Sequence, residues 1–268
     1  MIKAIVVGAA GRMGRMIVNA IQGAEGITCA GAVEAAGNPV VGKDAGAVAG
    51  LGELGVRIED ALSAVIKKGE VVIDFTTADA SLKNMEIAAQ LHKPMVVGST
   101  GFSTQQMDKV GKLTKDFPCV LAPNMSVGVN LMFKIVEQVA RALGQDYDVE
   151  IIEAHHRMKK DAPSGTALRL GELIAHALGR KWAEVGVYGR KGLIGERGRE
   201  EIGMQVIRAG DIVGDHTVLF GGMGERLEIT HRAHTRDTFT QGAIRAARWV
   251  VNQKPGLYDM GDVLGLKG

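Results

Sequence analysis

The chain has 268 residues, 46% hydrophobic and 23% charged, with 32 Lys and Arg against 30 Asp and Glu for a formal net charge of +2. That is enough apolar material for one large domain or two ordinary ones, and so even a charge balance argues against a polyanion-binding surface, so no nucleic-acid partner is expected. Apolar runs are short and interrupted by glycine or charge, far from the ~20 residues of a membrane span, and Met1-Ile2-Lys3 leads directly into a strand rather than a signal sequence. A soluble, cytoplasmic protein with no membrane partner is expected.

Ile2 to Val7 is a near-continuous apolar run, the pattern of a strand buried on both faces of a parallel sheet. Gly8-Ala9-Ala10-Gly11-Arg12-Met13-Gly14 follows, and from Met13 the positions Met16, Ile17, Ala20 and Ile21 recur at helical spacing until Gly23. A second strand, Ile27 to Val33, ends at Glu34. Glycine dominates from Gly37 to Gly55, which reads as an irregular excursion without helix or strand. Asp60 to Lys67 is expected as a short helix, then Val71 to Phe75 as a strand, Asp79 to Leu91 as a helix, Met95 to Val97 as a strand and Thr104 to Lys115 as a helix. Val120 to Ala122 closes the series and runs into Pro123-Asn124-Met125-Ser126. Such alternation predicts a Rossmann-like, doubly wound parallel sheet with helices on both faces.

The pattern then changes. Val127 to Leu143 is a long amphipathic helix, and an apolar run from Tyr147 to Ile152 feeds the charged segment Glu153 to Ala167, EAHHRMKKDAPSGTA, expected to be a strand-to-helix loop. A helix is expected from about Ser164 to Leu178, and Tyr188 to Glu201 reads as a mobile loop rich in glycine and charge. Ile202 to Ala209, His216 to Phe220 and Arg226 to His231 are strand-like with no clear helix between them, so a second α+β domain on a mixed or antiparallel sheet is expected. Phe239 to Val251 is a helix, and Lys254-Pro255-Gly256 breaks it before a short tail.

Gly8, Gly11 and Gly14 form G-x-x-G-x-x-G after a strand and at a helix start, the setting a dinucleotide fingerprint requires. Glycine lets backbone approach a pyrophosphate, and N–H groups at the helix start stabilise its charge. Glu34, about 20 residues on, is placed to accept hydrogen bonds from a ribose. The plain alternative is a tight turn with a surface glutamate, but strand, helix, strand and acid in register favour the nucleotide. A carboxylate there repels a 2′-phosphate and Ala35 offers no cation, which favours NAD; Arg12 or Lys43 leaves NADP possible. Gly98-Ser99-Thr100 and Ala122-Pro123-Asn124-Met125 lie at strand carboxyl ends, where such a sheet lines its ligand crevice; routine loop chemistry is an equal alternative.

Within EAHHRMKKDAPSGTA, His155 and His156 are adjacent and project to opposite sides of an extended chain, so no metal site is expected. A histidine beside Arg157, Lys159 and Lys160 can give a proton or bind an anion, and Lys159 can act as general acid if the other cations lower its pKa. A solvated basic loop is the bland alternative, but Ser164-Gly165-Thr166 opens a helix immediately downstream, forming a receptor for carboxylate or phosphate. His92, His176, His216, His231 and His234 are scattered without ligand spacing. Cys29 and Cys119 sit in apolar runs as small buried hydrophobes. A dinucleotide-sensing regulator would keep the glycine turn but have no need of the basic loop; a metal-dependent hydrolase is a poorer third reading.

Together with Gly98-Ser99-Thr100-Gly101-Phe102, Asn124 to Asn130, Ala209 to Gly214 and Glu225 to His231, these two motifs make the chain resemble the 4-hydroxy-tetrahydrodipicolinate reductase (dihydrodipicolinate reductase) family of lysine and diaminopimelate biosynthesis, over nearly its whole length. The resemblance implies an NAD(P)H-dependent reductase of a small, anionic cyclic dicarboxylate, with the nucleotide bound by Gly8 to Met13, Glu34, Gly98 to Thr100 and Ala122 to Met125. It implies His155 in the catalytic position, Lys159 as proton donor, and His156, Gly165 and Thr166 as substrate carboxylate contacts. Many members carry Arg after the acidic residue, where this chain has Ala35, which puts strong NADP use in doubt. It further implies a nucleotide domain of residues 1–126 plus 240–268, and a substrate and oligomerisation domain of 127–239 that associates into a homotetramer.

Overall fold

The computed structural model describes residues 1–267; Gly268, within the segment expected to return to the first domain, lies outside the described residues. The chain runs through β1 (Ile2–Val7), α1 (Arg12–Gln22), β2 (Ile27–Val33), α2 (Ala45–Ala49), β3 (Ile58–Glu59), β4 (Val71–Asp74), α3 (Ala78–Gln90), β5 (Met95–Val97), α4 (Thr104–Leu113), β6 (Pro118–Leu121) and α5 (Val127–Leu143). It continues through β7 (Asp148–His155), α6 (Gly165–Ala177), α7 (Trp182–Val185), β8 (Gly186–Tyr188), β9 (Ile202–Arg208), β10 (Gly214–Gly221), β11 (Arg226–Ala233), α8 (Asp237–Val250), β12 (Gly256–Tyr258) and α9 (Met260–Val263). Two compact units result: residues 1–127 with the segment from Asp237 onward, and residues 128–236.

In the first unit all strands pair in parallel, in the order β12-β6-β5-β4-β1-β2-β3. The strand sequences do not alternate because both faces are covered. On one side Ile17, Val18 and Ile21 of α1 and Ala243, Ala247 and Val250 of α8 pack on Val6, Ile73 and Val120. On the other, Met85 and Ala88 of α3 and Val110 of α4 pack on Ile5, Val72 and Val97.

Three segments of this unit depart from the sequence expectation. The glycine-rich excursion holds α2 and leads to β3, organised by one side chain: the Asp44 carboxylate accepts hydrogen bonds from the backbone N–H of Gly46 (2.8 Å), Ala47 (3.0 Å), Leu54 (3.0 Å) and Val56 (2.9 Å). Apolar periodicity carries no trace of such an anchor. Residues 60–67 form two 3₁₀ turns, Leu62–Ala64 and Ile66–Lys68, instead of one helix, and over so short a span these tighter turns bury Leu62, Val65 and Ile66. The short tail supplies a seventh strand, with Leu257 of β12 opposite Cys119 of β6.

In the second unit the strand order is β11-β10-β7-β9-β8, with β10 antiparallel to β7 and β11 while β9 is parallel to β7 and β8. Met132, Val136 and Ala140 of α5 and Leu170 and Ile174 of α6 cover one face, against Val149, Ile151, Ile202, Met204, Val218 and Phe220. Central β7 pairs on both edges, Ala154 opposite Asp215 and His155 opposite Arg208, so Glu153, Ala154 and His155 belong to a strand and not to the expected loop. The segment 189–201 is better anchored than a mobile loop: Arg190 binds Glu150 (2.9 Å) and Glu201 (3.0 Å), and Arg197 binds Glu150 (3.1 Å) and Asp148 (2.7 Å). Its charge ties it to β7.

A Cβ on Gly242 of α8 would fall 1.8 Å from the carbonyl oxygen of Met125. We expect Gly242→Ala to force α8 away from the loop after β6 and to destabilise the first unit by about 1–3 kcal/mol or more, read as a lower urea midpoint than wild type.

Candidate active site

In the first unit the carboxyl ends of β5, β4, β1 and β2 lie side by side, and the strand order reverses at β1. In an open α/β sheet that is where ligands bind. Gly8 leaves β1 with φ +70°, and Gly11 caps α1 without any side-chain hydrogen bond. A Cβ on Gly14 would fall 2.0 Å from the Gly8 carbonyl oxygen and 2.7 Å from Ala9 Cα, so only glycine lets α1 pack this closely on the turn. Glu34 reaches across from the end of β2: its Oε2 accepts from the Ala10 N–H (2.9 Å) and its Oε1 from the Ala35 N–H (3.0 Å). Arg12 is exposed, and Met13 is half-buried against the core.

Ser99 is buried, its Oγ 2.7 Å from Ser81 Oγ, while Thr100 beside it is exposed. In the last of these loops Ala122 and Met125 are buried, Pro123 is exposed, and Asn124 Oδ1 accepts from the Ser126 N–H (2.9 Å). Sequence reasoning overlooked the loop after β4. A Cβ on Gly98 would lie 2.1 Å from the Phe75 ring, and one on Gly8 would lie 2.8 Å from Thr76 Cγ2, so Phe75 and Thr76 adjoin both glycine loops. Fully buried Asp74 fixes them, accepting from the Thr76 N–H (2.9 Å), the Thr76 hydroxyl (2.6 Å) and Asn84 Nδ2 (2.7 Å). The available signal was an acid and two threonines at a third strand end, VVIDFTT. An uncapped helix start, a cradle that side chains would fill and a carboxylate at the edge fit a dinucleotide.

The second unit gathers a separate cluster around Glu153, which is fully buried on β7. Its Oε2 accepts from His155 Nδ1 (2.5 Å) and Arg208 (2.9 Å), and its Oε1 from Arg208 (2.8 Å) and the Ser164 N–H (3.0 Å). Burial pushes this carboxyl up, but the hydrogen bonds from His155, Arg208 and Ser164 outweigh it and bring it down to about 2. Ser164 is the N-cap of α6: its Oγ accepts from the Ala167 N–H (3.2 Å) and lies 3.1 Å from His216 Nε2. Burial, helped by neighbouring His155, pushes His216 down from 6.5 to about 3, so it is neutral near pH 7. The His155 and His216 rings meet edge to face with centroids 5.2 Å apart.

Among the residues the sequence singled out, Gly165 is exposed at the start of α6 with no atom within 4 Å of where a Cβ would stand, and Thr166 follows it in the first turn. His156 is half-buried, and its Nδ1 is buried without a hydrogen-bond partner. Lys159 donates to both oxygens of Asp161 (2.9 and 2.8 Å), which holds the Asp161 carboxyl below its ordinary value. The near partner of Lys159 is thus an anion, where the sequence suggested other cations. Glu153, Arg208 and His216 were given no role: Glu153 lay inside the motif, whereas β9 and β10 bring the other two from 44 or more residues downstream of Ser164 (208 − 164 = 44). Among the described residues no group of three or more His, Cys, Asp or Glu is arranged to hold a metal ion.

Residues 2–125 match the family model described as dihydrodipicolinate reductase, N-terminus, and residues 128–264 match dihydrodipicolinate reductase, C-terminus. The chain belongs to the dihydrodipicolinate reductase family. A 4-hydroxy-tetrahydrodipicolinate reductase of Geotalea uraniireducens is 60% identical and one of Syntrophus aciditrophicus 57% identical, each over 100% of both chains. A dipicolinate-bound dihydrodipicolinate reductase from Paenisporosarcina sp. TG-14 superposes with a TM-score of 0.78 over 97% of both chains at 24% identity. The fold extends to an NAD complex of GenD2 from gentamicin A biosynthesis, with a TM-score of 0.59 at 14% identity, over 100% of this chain and 87% of that one. Membership makes the chain an NAD(P)H-dependent oxidoreductase and places the EAHHRMKKDAPSGTA segment in the half of a reductase matched by the C-terminal model.

In this reductase His216 stays neutral on folding, while an unfolded histidine takes up a proton below about 6.5. Stability is therefore lost as pH falls from about 6.5 toward about 3. His155, Glu153, Lys159 and His231 are the charged or titratable groups acting on it. We expect urea unfolding of wild type to lose up to about 1.4 kcal/mol per pH unit more than His216→Gln over that window, with the two curves parallel above pH 7.

Proposed function

We propose that this reductase converts 4-hydroxy-tetrahydrodipicolinate to tetrahydrodipicolinate in lysine and diaminopimelate biosynthesis, in the cytoplasm, using NADH in preference to NADPH. The observation that carries the reading is the pairing, within one family-matched unit, of the buried Glu153–His155 dyad with an open helix start at Gly165. A regulator that only sensed a nucleotide would have no use for that pairing.

Reduced nicotinamide supplies the hydride when it is bound; the chain supplies position and charge. Gly8, Ala9, Ala10, Gly11, Arg12 and Met13 hold the pyrophosphate end, Glu34 the ribose, and Gly98 to Thr100 with Ala122 to Met125 the remainder. The support is the close-packed turn and the carboxylate anchored beside it. A negative Glu34 next to Ala35 disfavours a 2′-phosphate. Arg12 or Lys43 would be the cation that a phosphate uses if NADPH is accepted.

One substrate carboxylate is bound by the Gly165 and Thr166 backbone and by His156, whose partnerless Nδ1 lacks a ligand. His155, with Nδ1 held by Glu153, is the catalytic imidazole and Lys159 donates the proton; an anionic substrate draws Lys159 from Asp161. The first unit is then the nucleotide domain and the second the substrate and oligomerisation domain. Homotetramer formation is supported by the sheet face turned away from α5 and α6, where Ile207 is 46% exposed and Ile152, Thr217, Leu219 and Thr230 lie in the same layer.

Lys159→Ala is expected to lower kcat by about 10²- to 10⁴-fold while leaving the Kd for NADH, measured by fluorescence titration, within about twofold; an unchanged kcat would remove Lys159 from the chemistry. In parallel assays kcat/KM for NADH should exceed that for NADPH, and Glu34→Ala should narrow the ratio. A ratio that Glu34→Ala leaves untouched would show that Glu34 does not select the cofactor.

A further inference from the structure

We propose that Glu153 is a positioning residue: from one buried carboxylate it holds the His155 imidazole and the N-terminus of α6 in a fixed mutual geometry. The inference rests on the reading of His155 as the catalytic imidazole and of α6 as the carboxylate receptor. Its two oxygens divide the task. Oε2 takes the His155 Nδ1 proton at 2.5 Å, and Oε1 takes the Ser164 N–H at 3.0 Å, one residue before the first turn of α6. Arg208 binds both oxygens at once, at 2.9 and 2.8 Å, which fixes the plane of the carboxylate.

A plain buried salt bridge between Glu153 and Arg208 would account for the last pair of bonds but not for the first two. Because Nδ1 is the donor to Glu153, Nε2 is the ring nitrogen left to exchange a proton. The backbone packs closely on that nitrogen: a Cβ on Gly214 would stand only 3.0 Å from Nε2, and glycine removes it. On its other side Ser164 Oγ, already accepting from the Ala167 N–H, lies 3.1 Å from His216 Nε2, and the His216 ring meets the His155 ring edge to face. The charged and titratable groups around His155 are therefore Glu153 from its own strand, His216 from β10 and, on the same carboxylate, Arg208 from β9.

Replacing the acid by its amide keeps the volume but turns one acceptor into a donor. In Glu153→Gln the amide NH₂ faces a ring N–H or the guanidinium, and the unstrained outcome is a His155 that accepts at Nδ1 and carries its proton on Nε2. The test is imidazole ¹⁵N NMR of the full chain, with His155 assigned by its loss in His155→Gln, alongside steady-state kinetics. In wild type, above the pH at which the ring titrates, His155 is expected as the Nδ1–H tautomer. Glu153→Gln should shift it to Nε2–H, lower kcat by about 10²-fold, and leave the KM for NADH within about twofold. Glu153→Asp, which keeps the charge, should restore the Nδ1–H tautomer and part of the rate.

A wild-type His155 protonated on Nε2 overturns the proposal without any variant. So does a folded Glu153→Gln protein that keeps both the Nδ1–H tautomer and the wild-type kcat. A fall in kcat without a tautomer change would make Glu153 an ordinary structural acid and also overturn it. Full activity in His155→Gln, by contrast, would defeat the catalytic reading of His155 while the tautomer still decides whether Glu153 orients the ring.

Discussion

An ionised carboxylate removed from water must have its lone pairs filled by donors, because an unpaired buried charge costs several kcal/mol. Glu153 meets this condition with four hydrogen bonds, from His155, twice from Arg208 and from Ser164. Each donor comes from a different place: the same strand, a parallel neighbour and the start of a helix. Satisfying one side chain therefore registers β7 against β9 and seats α6 on the sheet. The apolar layer of Leu170 and Ile174 on Ile151 and Met204 supplies the burial that makes the requirement strict.

The first unit is governed by a constraint of the opposite kind, close approach of backbone to backbone. Gly14 lets α1 touch the Gly8 turn and Gly242 lets α8 touch Met125, each at distances that exclude a Cβ. Polar anchors then hold the loops that these helices flank. Asp74 ties Thr76 and Asn84, Glu34 ties Ala10, and Asp44 orders an otherwise irregular stretch through four N–H groups. In all three cases a carboxylate replaces secondary structure as the sink for backbone donors.

Much of this was legible residue by residue. Uninterrupted apolar strands alternating with helices implied the parallel sheet, and the glycine spacing implied the tight turn between β1 and α1, with Glu34 at the end of β2. Mixed pairing in the second sheet followed from strands with no helix between them. What escaped were features set by hydrogen bonds and not by periodicity. Asp44 made a helix where glycine content suggested none, and β7 ran on through Glu153 to His155 because both of its edges are paired. His216 looked like a scattered histidine and proved to be a buried, neutral partner of Ser164.

By itself the sequence determined the local chemistry: which turn can face a pyrophosphate, which loop is basic, and which helix begins with Ser-Gly-Thr, since all of these depend on near neighbours in the chain. Only the tertiary structure decided which groups share a proton. Arg208 and His216 lie 55 and 61 residues beyond Glu153 and His155 respectively (208 − 153 = 55; 216 − 155 = 61), and strand pairing alone brings them together. A buried carboxylate selects its donors by distance and direction in space, which no spacing along the chain encodes.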